Sequence, residues 1–189
     1  MNKSGNSKSR IYGAVSICKK VTRLSPREWK VIGVLAVWSV LAFCRERNLL
    51  FLLLLAVLLY SSYTDFSEQY VYNLPVAIFI GVVMMTLLTG KAWENGAFPA
   101  FLGLAGGAIL LGILKLWGFG DTLILICIGL WSLTVFRNLF AYQIWILTVL
   151  LIASAGFILA FLITGKKKGP FVPYLTAGFL IEMVFLQYS

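Results

Sequence analysis

Asp65 and Asp121 are the only aspartates in the chain, and each stands where an apolar run meets a polar stretch. Asp121 closes Gly118-Phe119-Gly120-Asp121, between a run ending at Trp117 and another beginning at Thr122. Asp65 stands two residues after the end of the Leu-rich run Leu49–Tyr63. Two carboxylates held together resist ionising together and share a proton, so one takes a proton from water while the other gives one to a carbonyl. That is the chemistry of amide hydrolysis. Gly118 and Gly120 carry no side chain, which would let a substrate strand come close to Asp121, and an Asp in the first turn of a helix is favoured by the helix dipole. Either Asp alone reads as an ordinary interfacial residue; the pair carries the argument. The chain has no His, which excludes Ser-His and Cys-His catalysis and a His-ligated metal. Cys18, Cys44 and Cys127 form no C-x-x-C pair, so neither a zinc site nor a disulfide framework is suggested, and no metal or cofactor is expected.

The elements that would position the aspartates are apolar spans. The chain is 60% hydrophobic with a mean hydropathy of +0.92, more than a soluble domain of 189 residues could bury. The expected class is all-α, a polytopic transmembrane helix bundle of about seven spans. Ser25-Pro26-Arg27-Glu28 starts the first helix, with Ser25 as cap, Pro26 at the first helical position and Glu28 closing a capping box; its apolar part is Val31–Cys44. Further spans follow at Leu49–Tyr63, Asn73–Leu88 with Pro75 in its first turn, Phe98–Trp117, Thr122–Phe136, Leu139–Ile163 and a less regular Phe171–Gln187. Thr64–Tyr72 reads as a loop with Asp65 and Glu68, Lys91–Gly96 and Arg137-Asn138 as turns, and Gly165–Pro170 as a basic loop. Gly103, Gly106, Gly107 and Gly112 read as packing positions for a neighbouring helix, with Gly103 and Gly107 inside the molecule rather than at a dimer seam.

The net charge of +9 does not indicate nucleic acid, because the basic residues flank apolar spans. With the N-terminus in the cytoplasm, Lys3, Lys8, Arg10, Lys19, Lys20, Arg23, Arg27, Lys30, Lys115 and Lys166–Lys168 fall inside, and only Arg45, Arg47, Lys91 and Arg137 outside. The expected location is a cell (cytoplasmic) membrane, multi-pass, with the N-terminus inside. Both aspartates then land on the cytoplasmic side at the same depth. Residues 1–24 read as a basic cytoplasmic tail with no cleavable signal, and Ile11–Leu24 either as an amphipathic surface helix or as solvated chain. Residues 25–48 form an extra first span, and 49–189 the main membrane domain.

The ordered motifs resemble those of the prepilin peptidase (type IV leader peptidase) family of GxGD membrane aspartyl proteases. The family has an Asp at the cytoplasmic end of a span, then Ile-Pro-Asn about eight residues on; here Asp65 is followed by Val71-Tyr72-Asn73, with Tyr72 in place of the proline. Gly118-Phe119-Gly120-Asp121 meets the second motif. Pro170-Phe171-Val172-Pro173-Tyr174, running into Ala177-Gly178, is similar to a late Pro-Phe-x-Pro-Phe stretch. The match covers roughly residues 49–185. It implies a catalytic pair of Asp65 and Asp121, cleaving the leader of a type IV pilin-like precursor at the cytoplasmic face. Gly118, Gly120 and Asn73 become motif and substrate-approach residues, and Glu68 a candidate contact for a positively charged leader. Two departures stand out. Leu123 occupies the place where many members have Lys, and no insert with paired C-x-x-C motifs is present, which implies cleavage without N-methylation. The short form is similar to the peptidases of tight-adherence pili and of archaeal preflagellins. The presenilin and signal-peptide-peptidase branch fits less well, since Thr64 precedes Asp65 and no Pro-Ala-Leu occurs.

Other residues have plainer readings. Glu182 is expected to face the bundle interior or a polar partner. Trp29, Tyr63, Tyr72, Trp93, Trp117 and Tyr188 read as interface belts, and Lys166–Lys168 as a positive-inside anchor or a contact with anionic lipid. The alternative function is a non-catalytic membrane assembly factor, or a small proton-coupled transporter, on the same scaffold.

Overall fold

A computed structural model of the chain describes residues 24–89, 96–114, 117–164 and 169–185. The expectations for the tail up to residue 23, the turn after Thr89, Lys115, the Lys166–Lys168 anchor, Trp93 and Tyr188 lie outside those residues. The described residues are all-α, with seven helices: α1 Pro26–Glu46, α2 Leu49–Glu68, α3 Asn73–Thr89, α4 Phe98–Ile113, α5 Phe119–Val135, α6 Leu139–Thr164 and α7 Val172–Phe185.

Local chemistry sets most of the helix ends. Glu28 N–H donates to Ser25 Oγ at 3.3 Å and Ser25 N–H to Glu28 Oε2 at 2.6 Å, which completes the capping box of α1. α1 stops at Arg47, left-handed at φ 46°, and Asn48 caps α2 at once by accepting the Leu50 N–H at 2.9 Å. These two residues turn the chain back on itself. α2 continues past Tyr63 to Glu68, five residues beyond the apolar run, so Asp65 is helical rather than in a loop. Its end is Gln69, also left-handed at φ 53°, whose N–H returns to the Asp65 carbonyl at 3.1 Å. Neither Arg47 nor Gln69 is a residue type that favours this region, so the apolar pattern alone does not reveal the two stops. α4 ends at Ile113, short of Trp117. α5 begins three residues before Thr122, which puts Asp121 inside its first turn with Gly118 as the N-cap. α7 is an unbroken helix over its 14 residues.

The helices alternate in direction, and α5 sits at the centre. It packs against α2, α3, α4, α6 and α7, while α7 packs against α1, α2, α5 and α6. Phe51, Trp131, Trp145 and Phe179 form an aromatic core across α2, α5, α6 and α7, with Phe51–Trp131 centroids 5.1 Å apart and Trp131–Phe179 5.5 Å. A Cβ on Gly178 would lie 2.6 Å from the Val149 carbonyl, so glycine lets α7 seat directly on the α6 backbone.

Small polar groups lie inside with the aromatic core, and many large apolar side chains lie outside. Ser61, Ser62, Thr64, Thr122, Ser132, Thr176 and Glu182 are buried, whereas Leu147 is 65% exposed and Leu151 72%. Ser62 Oγ and Thr176 Oγ1 meet at 3.0 Å between α2 and α7. Such a surface suits hydrocarbon as its solvent. α2 and α6, at mean hydropathies of 1.9 and 2.8, are long and apolar enough to cross a membrane, and α3, α4, α5 and α7 are shorter apolar helices. The α4 glycines correct an expectation: a Cβ on Gly103, Gly106 or Gly107 would meet no described atom within 4 Å, so these three face away from the bundle. Of the four, Gly112 faces a neighbour, with Thr122 Oγ1 at 3.1 Å from its Cβ position.

Candidate active site

Alternation brings the C-terminal ends of α2, α4 and α6 together with the N-terminal ends of α3, α5 and α7. A cleft of about 970 Å³ opens there, lined by both aspartates. Asp65 comes from the last turn of α2 and is buried. Asp121 comes from the first turn of α5 and is half-buried.

The Asp65 carboxylate is held by backbone N–H groups at a helix start. Asp65 Oδ2 accepts the Val172 N–H at 3.0 Å, and the Phe171 N–H also points to the Asp65 carboxylate. Val172 is the first residue of α7, so Asp65 caps α7 from another helix and meets the positive end of its dipole. The sequence explains why these two amides serve. Pro170 and Pro173 have no N–H, and Phe171 and Val172 between them do. The Asp121 carboxylate folds back over Gly118, the N-cap of its own helix.

The two glycines are crowded rather than open, which corrects the reason given for them. A Cβ on Gly120 would stand 2.7 Å from Val71 Cγ2 and 2.8 Å from Val71 Cβ. Val71 is buried and follows Asp65 by six residues, so this contact presses the Asp65 connection onto the Asp121 turn. A Cβ on Gly118 would stand 2.7 Å from Asp121 Oδ2. Gly120 therefore brings the two segments together, and Gly118 gives the carboxylate room to fold back over its own turn.

The remaining site residues divide. Asn73, first in α3, is exposed and lines the cleft with Gly118 and Gly120. Glu68 ends α2 outside the cleft lining and accepts the Tyr72 hydroxyl at 2.7 Å. Glu182 faces the bundle interior, as expected, with Oε2 lacking a hydrogen-bond partner among the described residues. Sequence reasoning missed the Phe171 and Val172 amides, whose signal was the pair of flanking prolines. It also missed the α6 wall of Ser154, Phe157 and Ile158, where Phe157 stacks edge-on against Phe171 at 5.4 Å. Ser154 was its one visible trace, a hydroxyl in an apolar run. Among the described residues no three of His, Cys, Asp and Glu gather to hold a metal ion. No protein-family model matches the chain, and neither a curated protein nor a solved structure matches it.

Proposed function

We propose that this chain is a membrane aspartyl endopeptidase of the prepilin peptidase kind, which removes the leader of a type IV pilin-like precursor at the cytoplasmic face without methylating the product. The observation that carries the reading is that its only two aspartates, 56 residues apart in sequence, line one cleft. The three stretches that resemble the family's motifs also touch one another: Val71 meets Gly120, and Val172 bonds Asp65.

Water is the nucleophile. Asp65, steadied as a carboxylate by two N–H groups, takes a proton from the water as its oxygen bonds the scissile carbonyl carbon. Asp121 carries the shared proton and gives it to the carbonyl oxygen. The resulting diol collapses as the C–N bond breaks. Asp65 passes its proton to the leaving nitrogen, and a diol hydroxyl returns one to Asp121, which restores the pair.

In this reading all seven helices span the bilayer, α1 added to a six-span core, with the N-terminus and the cleft on the cytoplasmic side. The excess of basic residues on that side supports the orientation, and the outward apolar surface supports the bilayer. Leu123, where many family members have Lys, is half-buried against the core, so any contact made by that Lys is absent here. Buried Glu182 is the one observation that favours the alternative of proton-coupled transport. The test is to combine membranes holding the native protein with a pilin-like precursor and to measure the product's intact mass. Leader loss with an unmethylated new N-terminus supports the proposal. An intact precursor, across precursors encoded beside this gene, counts against it.

A further inference from the structure

α6 carries four hydroxyls, and three of them are used inside the protein. Tyr142 donates to the Gly129 carbonyl at 3.3 Å, Thr148 to the Ile144 carbonyl at 2.9 Å and Thr164 to the Ala160 carbonyl at 2.7 Å. Ser154, the fourth, makes no hydrogen bond among the described residues, although a helical serine commonly returns its hydroxyl to the carbonyl one turn back. It lines the cleft with Phe157 and Ile158 of its own helix, an otherwise apolar wall. Its depth follows from the packing of α6 on α7. The Phe157 ring meets Tyr174 at 5.7 Å, and a Cβ on Gly178 would lie 3.1 Å from the Ala153 N. Ser154 is therefore level with the turn of α7 between those two residues. That is roughly 6 Å further along the helix than Val172, at 1.5 Å per residue, and Val172 is the residue whose N–H holds Asp65. In extended chain the same distance is about two residues.

We infer that Ser154 is a substrate-binding residue whose hydroxyl pairs with a backbone amide about two residues from the scissile bond, on the side that continues into the bilayer. The inference rests on the proposed peptidase reading, which puts the bond to be cut at the two aspartates. A carbonyl inside a helix is already hydrogen-bonded and shielded, so the substrate must unwind for a few residues before water can attack it. Each amide freed at this depth needs a new partner, because hydrocarbon offers none. Phe157 and Ile158 have no polar atom on their side chains to give. The Ser154 hydroxyl both donates and accepts, so it serves either a C=O or an N–H. Within the protein it forms no bond, and alanine is the better helix former, so folding alone gives no reason for serine at this place.

The test reads binding and needs no cleavage, so its failure is distinct from failure of the peptidase reading. The full chain carrying Asp121→Asn is purified in dodecyl maltoside. The probe is a fluorescein-labelled synthetic peptide, a polar leader joined to a run of apolar residues, followed by anisotropy. It is made with amides throughout, with an ester at each of the first four bonds past the junction in turn, and with one ester inside the leader. An ester has no N–H and is a weaker acceptor than an amide. The largest penalty, about fivefold as one hydrogen bond gives, falls at or next to the second bond, and the leader ester binds like the amide. Ser154→Ala weakens the all-amide peptide by a similar factor and brings all forms within about twofold. Ser154→Thr keeps the hydroxyl and keeps the penalty. Ser154→Ala leaves the thermal unfolding temperature in place, since no bond within the protein is lost. Equal affinity for every form, an ester penalty that survives Ser154→Ala, or no binding by any form overturns the inference. Cleavage of the all-amide peptide by the native chain tests the peptidase reading separately: an uncleaved peptide that still shows the Ser154 dependence counts against that reading and keeps the binding residue.

Discussion

Asp65 Oδ2 accepts the backbone N–H of Val172 at 3.0 Å, across 107 residues of sequence. The bond makes the start of α7 part of the candidate site, because the first free N–H groups of that helix are used on a carboxylate of α2. Four consequences of this arrangement can be measured.

Val172→Pro removes the donor and leaves a side chain suited to the first position of a helix. Loss of one hydrogen bond to a buried charged group costs roughly 1–3 kcal/mol, so kcat for precursor cleavage should fall about ten- to a hundredfold with KM little changed. Val172→Ala keeps the N–H. It should lower the unfolding temperature, since Val172 is buried, but keep kcat near native. Equal kcat losses in the two variants would remove the hydrogen bond from the account.

Gly120→Ala should separate the two aspartate segments, because its Cβ would meet Val71 at 2.7 Å. Both the Cβ and the Cγ2 of Val71 stand in the way, so Val71→Gly rather than Val71→Ala should rescue it. In a double-mutant cycle the coupling should reach about 1–2 kcal/mol, within the range for residues in contact. Strict additivity would contradict the contact.

Gly118→Ala should behave differently. The atom in the way is Asp121 Oδ2, the movable end of a half-buried side chain. The carboxylate can swing aside, so stability should hold while kcat drops at least about tenfold, as expected for a displaced catalytic group. Loss of stability together with activity would show that the turn itself needs the glycine.

Glycines elsewhere should sort by what they face. Gly178→Ala should destabilise the α6–α7 seat by about 1–3 kcal/mol through overpacking. Gly103→Ala and Gly107→Ala, on the open face of α4, should be neutral or raise stability by up to about 1 kcal/mol through helix propensity. Thermal unfolding in detergent would rank the three.

How much of this was legible in the sequence varies by residue. The capping box at Ser25 and Glu28 is local chemistry and was read directly. The apolar runs located all seven helices, because length and hydropathy are properties of the run itself. Their alternation was enough to bring Asp65 and Asp121 to one end. The end of α2 was not legible: Gln69 takes a left-handed conformation that its residue type does not announce. The roles of Gly118 and Gly120 were misread because a missing side chain looks the same in sequence whether it makes room for a substrate or for Val71 and Asp121. The G-x-x-x-G spacing of Gly103 and Gly107 places both on one face without saying whether that face turns inward. The amides of Phe171 and Val172 escaped notice because a backbone N–H is common to nearly every residue, and only the fold aims it.

The central claim is that Asp65 and Asp121 act as one catalytic unit, and its most direct measurement is precursor cleavage in membranes by the native protein, Asp65→Asn, Asp121→Asn and the double variant at matched expression. The account predicts leader loss with the native protein alone, and a double variant no worse than either single one, since removing either half removes the unit. Cleavage by either single variant at the native rate would contradict it.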